Sequence, residues 1–141
     1  MDAFLSADAG RALRALTEFP GAKSVSGLLI GHKRAGRFFV ESVFPAPSGF
    51  KPGPGNFPAL NEIFGGRIIG FFVAGTGPAV RRPFLQPLAC GRLLLEIGRG
   101  KSKSGAYRAF AVDYDGRFTT APIALIHDEP PRKRPGYRRP R

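Results

Sequence analysis

Ile68-Ile-Gly-Phe-Phe-Val-Ala-Gly75 carries no charge and is rich in Ile, Phe and Val, a pattern that predicts a strand buried on both faces. Gly75, Gly77 and Pro78 stop it, because glycine frees φ and proline cannot donate to a ladder. No His, Asp, Glu, Cys, Lys or Ser lies within the run, so it offers backbone groups only. Upstream, Leu5, Ala9, Ala12, Leu13 and Leu16 recur at helical spacing with Arg11 and Arg14 on the other side, predicting an amphipathic helix over Asp2 to Glu18. Asp2 or Ser6 can cap it, and Pro20-Gly21 ends it.

Val25 to Gly31 is a short apolar strand, His32 to Gly36 a polar turn, and Arg37 to Phe44 an alternating strand that completes an antiparallel hairpin. Four prolines and three glycines between Pro45 and Phe57 predict an irregular loop. Asn56 can cap a short helix through Phe64, with Leu60, Ile63 and Phe64 facing inward. After the uncharged run, Phe84 to Cys90 can hold one or two helical turns, and Arg92 to Gly98 reads as a strand. Residues 99–105 form a basic turn. Ala106 to Tyr114 and Arg117 to Ile126 read as strands joined at Asp115-Gly116, with Pro122 implying an edge or a bulge. The expected fold is α+β: a single domain with a mixed, mostly antiparallel sheet, an N-terminal helix and one or two short helices packed on it. That domain spans residues 1–128, followed by a disordered basic Pro/Arg-rich tail over 129–141.

Composition sharpens this reading in two places. The single Cys90 excludes an internal disulfide, fits a reducing cytoplasm, and reads as a small buried hydrophobe. No run approaches the ~20 apolar residues that span a bilayer, and charges interrupt every candidate signal-peptide core. A soluble, cytoplasmic protein with no membrane partner is expected. The net charge of +12 is unevenly placed, since six basic residues and no acid fall between Pro130 and Arg141.

Two local patterns, in this order of elements, resemble the JAMM/MPN metalloprotease family of zinc isopeptidases. They are Gly27-Leu-Leu-Ile-Gly31 after the leading helix, and Ile68-Ile-Gly-Phe-Phe72, which is similar to the family strand that leads into its zinc-binding His-x-His. The resemblance implies where a zinc site would lie: the ligand positions fall on Val73, Gly75 and Gln86, the helix-opening Ser on Pro83, and the general-base Glu on Ser24. Each is substituted, so the resemblance implies an inactive, MPN-minus-like pseudoenzyme. Such a protein would be no enzyme, would hold no metal or cofactor, and would serve as a scaffold for an unidentified protein partner.

Other chemistry is sparse. His32 and His127 read as solvated surface imidazoles. Glu41, Glu62, Glu96 and Asp113 are expected to be solvated or paired with Arg, and no Ser has a His-plus-acid constellation beside it. Phe39, Phe71 and Phe84 would form a sticky face if exposed, though burial is the default for Phe. Lys101, Lys103, Arg132, Lys133, Arg134, Tyr137, Arg138, Arg139 and Arg141 are the candidate contacts to an anion. They suit a second role, nonspecific binding of nucleic-acid phosphates through the tail, with Tyr137 stacking on a base. An acidic protein surface, or a tail that only solubilises, fits the same charges.

Overall fold

The first amphipathic stretch divides at Ser6. Asp2–Leu5 form a strand, β1, and Ala7–Glu18 form a helix, α1. The Ser6 hydroxyl oxygen accepts from the Ala9 N–H at 3.1 Å, capping the helix, and donates to the Glu41 carbonyl at 3.0 Å. The Ser6 N–H donates to the Val40 carbonyl at 3.1 Å, so one residue ends the strand, starts the helix and ties both to a neighbouring strand. Ser6→Ala should lower stability by about 1 kcal/mol or somewhat more, read as a drop in Tm.

The computed structural model describes residues 1–18, 26–46, 55–75, 77–98 and 107–127. After α1 come β2 (Ser26–Arg34), β3 (Arg37–Ala46), α2 (Phe57–Ile63), β4 (Ile68–Ala74) and α3 (Pro78–Arg81). Two 3-10 turns, Arg82–Phe84 and Pro87–Ala89, lead to β5 (Leu93–Ile97), β6 (Tyr107–Tyr114) and β7 (Phe118–His127). The strands close into a seven-stranded barrel in the order β1-β3-β2-β4-β5-β6-β7.

This corrects the expected mixed sheet of an α+β fold. The cause is β1, whose four residues read as helix. β1 lies parallel to both β3 and β7, with Phe4 opposite Phe39 on one side and Ile126 on the other. Without it the remaining six strands would form an open sheet. The β2–β3 turn also differs, because His32–Arg34 belong to β2 and only Ala35 and Gly36 turn the chain. Both have positive φ, 51° and 77°, as a two-residue hairpin turn requires. None of the described helices is long and apolar enough to cross a membrane.

The barrel has two apolar clusters. Alternate residues of the strands, among them Leu5, Leu29, Phe38, Phe72, Leu93 and Leu95, point inward, where Ala9 and Leu13 of α1 pack against them. The second cluster lies on the outer face of β2, β4, β5 and β6, where Leu28, Phe71, Leu94 and Phe110 meet Phe57 of α2 and Phe84 and Ala89 of the crossover. Burial on both sides is why β4 and β5 read as continuous apolar runs. Ile69 and Phe72 share the interior although three apart, because an irregularity opposite Leu29/Ile30 shifts the phase of β4. Ile63, expected inward, is 74% exposed, and Phe57 takes the buried place on α2.

The glycines that carried the family resemblance have a packing cause here. A Cβ on Gly31 would overlap the Phe39 carbonyl oxygen, one on Gly27 that of Phe44, and one on Gly70 that of Leu93. Each faces the backbone of an adjacent strand, so the barrel itself demands residues without a side chain at these points.

Candidate functional site

The C-terminal ends of the parallel strands β4 and β5 hold the positions where the zinc site would have fallen. Val73 lies half-buried between Ser26 and Glu96 on the neighbouring strands. The Gly75 N–H bonds the Ile97 carbonyl at 2.8 Å, Pro83 sits in a 3-10 turn, and the Gln86 amide donates to the Pro83 carbonyl at 2.9 Å. Ser24 lies outside the described residues. Among the described residues no group of three or more His, Cys, Asp or Glu could hold a metal ion.

What does stand there is a buried ion pair. Glu96 has no solvent exposure, and one carboxylate oxygen accepts from Arg81 Nε. The Arg81 guanidinium lies 4.4 Å from the centre of the Phe110 ring, while the second oxygen, Oε1, has no hydrogen-bond partner among the described residues. The pair fastens the start of the β4–β5 crossover to the outer face of β5. It brings no nucleophile or metal ligand with it, so its chemistry is that of a clamp.

On the other side of the barrel, the outer face formed by β3, β1, β7 and the His32 end of β2 supplies no residue to the second apolar cluster among the described residues, which draws only Leu28 and Ile30 from the start of β2. Strand pairing lines up Ile126, Phe4, Phe39 and His32 across its four strands. The His32 and Phe39 rings stack with centroids 4.8 Å apart and planes at 15°, and Phe4 meets Phe39 at 6.0 Å. Ile126 is 38% exposed and Phe4 and Phe39 are partly exposed, so the row is open to a ligand.

Charges flank this row. Arg37 donates to both carboxylate oxygens of Asp2, at 2.6 and 2.8 Å, and Glu41 meets His32 at 2.8 Å and also pairs with Arg67. Lys33 and Arg34 are exposed and make no ion pair with a described residue. The Arg37 hydrogen bond holds the Asp2 carboxyl below the ordinary carboxylate range. A lowered carboxyl pKa means the pair's contribution is complete above the ordinary carboxylate pKa and is lost only as pH falls through the lowered value. An NMR titration should therefore give Asp2 a midpoint below that of the same residue in an unstructured peptide.

The sequence-derived contacts Lys101, Lys103, Arg132, Lys133, Arg134, Tyr137, Arg138, Arg139 and Arg141 all lie outside the described residues. The structure fixes where the tail departs: His127 ends β7 opposite Leu5 of β1, one position along from the Phe4–Ile126 pair. Of the three rings named as a sticky face, Phe71 and Phe84 are buried, and only Phe39 reaches the surface. Phe4 and Ile126 were missed because Phe4 was assigned to a helix; the signal was the alternation of Asp2, Ala3, Phe4 and Leu5. Cys90 is exposed, not buried as expected, since it follows a 3-10 turn at the surface. His127 is exposed but stacked, 5.3 Å from the Tyr107 ring.

Fold and site together define a small closed barrel with one face covered by helices and, among the described residues, one bare. Among solved structures, the chain is similar to the solution structure of protein DSY2949 from Desulfitobacterium hafniense, a structural-genomics target. The TM-score is 0.66 at 16% sequence identity, over 91% of this chain and 94% of that one. At that identity the likeness shows the fold alone. No family model matches the sequence. None of the curated proteins matches it either. The JAMM/MPN resemblance is therefore set aside: the strands close into a barrel instead of the expected sandwich, no family model supports it, and its glycine patterns follow from strand packing.

Proposed function

We propose that this protein is a non-catalytic binder of single-stranded nucleic acid, working in the cytoplasm. The observation that carries the reading is the bare row of His32, Phe39, Phe4 and Ile126, which ends on the strand from which the arginine-rich tail departs. Bases stack on exposed rings regardless of sequence, each stack being worth about 1–3 kcal/mol. Arg34 and the six basic residues between Pro130 and Arg141 supply phosphate contacts around that platform.

Fluorescence anisotropy with a labelled short oligonucleotide tests this. Six phosphate contacts on a single strand correspond to a slope of log K against log salt of roughly −4, and deleting residues 130–141 should flatten it. Phe39→Ala should weaken binding by roughly tenfold at an unchanged slope, as expected for a lost stack. Wild-type affinity in the Phe39 variant would exclude the face as a platform.

A protein-interaction role is the second reading, favoured by a separate apolar patch. Ile63 is 74% and Phe44 50% exposed, and Phe44 packs edge-on against Phe64 at 5.2 Å. Large exposed apolar side chains brought together in this way mark contact sites, and Ile63 adjoins Phe64 in the chain. Under this reading Ile63→Asp abolishes co-purification of a stoichiometric protein partner and leaves oligonucleotide affinity unchanged.

A further inference from the structure

Between the start of β1 and the tip of the β2–β3 hairpin lies a cleft of about 510 Å³, whose walls include Asp2, Arg34, Gly36, Arg37 and Phe39. Its size falls in the range of small-molecule sites, roughly 300–1,000 Å³. We propose that this cleft is a nucleotide-binding site, with the base against Phe39 and the phosphate between Arg34 and Arg37. Resting on the reading above, it seats one unit of the bound strand.

The geometry divides the labour among these residues. Asp2 takes two hydrogen bonds from Arg37, through Nε and Nη2, and so fixes the plane of the guanidinium. A guanidinium has five N–H donors, so Nη1 and the second Nη2 hydrogen remain for a phosphate. Asp2 is used up in this pairing, and Arg34 on the same cleft has no ion-pair partner among the described residues. The anchored Arg37 supplies direction and the exposed Arg34 supplies charge. Phe39 is partly exposed, stacked on His32 and overlain by the Arg37 guanidinium, so a base entering the cleft meets an aromatic ring and a cation side by side. The Ala35-Gly36 turn forms a short wall, held to β1 by the Asp2 N–H donating to the Gly36 carbonyl at 3.2 Å. With the Arg37 guanidinium carbon 5.9 Å from the centre of the Phe39 ring, a ring contact and a phosphate contact fall within the span of one nucleotide. Inorganic phosphate satisfies only the arginines, and a nucleoside only Phe39.

The test is an NMR titration of the full chain with AMP, adenosine and inorganic phosphate, followed by competition with an oligonucleotide. AMP should shift the amides of Arg34 to Phe39 and bind at least tenfold more tightly than adenosine or phosphate. Arg34→Gln and Phe39→Leu, both at exposed or partly exposed positions, should each weaken AMP about tenfold while leaving the rest of the spectrum in place. Displacement of AMP by the oligonucleotide identifies the strand as the source. The inference is overturned if phosphate binds as tightly as AMP, if AMP shifts only other regions, or if Arg34→Gln leaves its affinity unchanged. Strand binding that persists through the tail without any AMP effect at the cleft removes this site and spares the proposed function. AMP held in the cleft with no strand binding removes the proposed function and leaves a site for free nucleotides.

Discussion

Gly70→Ala is expected to prevent the barrel from forming a stable native state. A methyl group at position 70 would overlap the Leu93 carbonyl oxygen and crowd its Cβ, and Leu93 pairs directly with Gly70 in the parallel β4–β5 ladder. Neither strand can give way, because both are packed on their inner and outer faces. Overpacking against fixed backbone belongs to the short list of causes that exceed about 4 kcal/mol, a large part of the 5–15 kcal/mol typical of a domain. Gly36→Ala is the control. Nothing lies within 4 Å of a Cβ there, so only its φ of 77° opposes the change, at about 1–2 kcal/mol. Near-UV circular dichroism and soluble yield separate the two outcomes. A folded Gly70→Ala protein with near-parental Tm would contradict the strand packing described above.

Arg81→Leu is the second large effect, expected at about 3–5 kcal/mol. It strands the fully buried Glu96 carboxylate, one oxygen of which already lacks a partner among the described residues. Glu96→Leu should cost less, because the Arg81 side chain keeps 20% exposure and can turn toward water. The double change to leucine should recover most of the loss, since an apolar pair of similar volume often replaces a buried ion pair without penalty. Urea unfolding of the four proteins gives the coupling directly. Additive single losses would show that the two side chains do not act as a clamp.

Much of the framework could be read from residues alone. The uncharged run at Ile68 and the leucines at 93–95 announced β4 and β5 because both faces of each are buried. Asp115-Gly116 announced the β6–β7 hairpin, and Ser6 was rightly among the candidate caps of α1. What failed depended on partners distant in sequence. Four residues of β1 give two alternations, too few to tell a strand from the first turn of a helix, and their pairing with β7 leaves no local trace. Glu96 does pair with an arginine, one of its two expected states, but its full burial under Arg81 of α3 left no local sign. Ile63 fitted the inward side of a helix of seven residues, too short for the period to fix which side faces the barrel. The glycine patterns suggested a family because close strand approach selects the same residue in unrelated sheets. Lys101, Lys103 and the tail contacts depend on charge alone, which specifies attraction to an anion but no geometry.

The stave that closes the barrel is made before the six strands it joins. Asp2 needs Ala124 beside it, so the amino-terminal strand can find only one of its two neighbours until the last strand has left the ribosome. Until then the inward-facing Leu5, Phe38 and Leu95 stay open to water along one seam. The nascent barrel presents apolar surface until β7 emerges, and its folding completes in a late step that joins the first of its strands to the last.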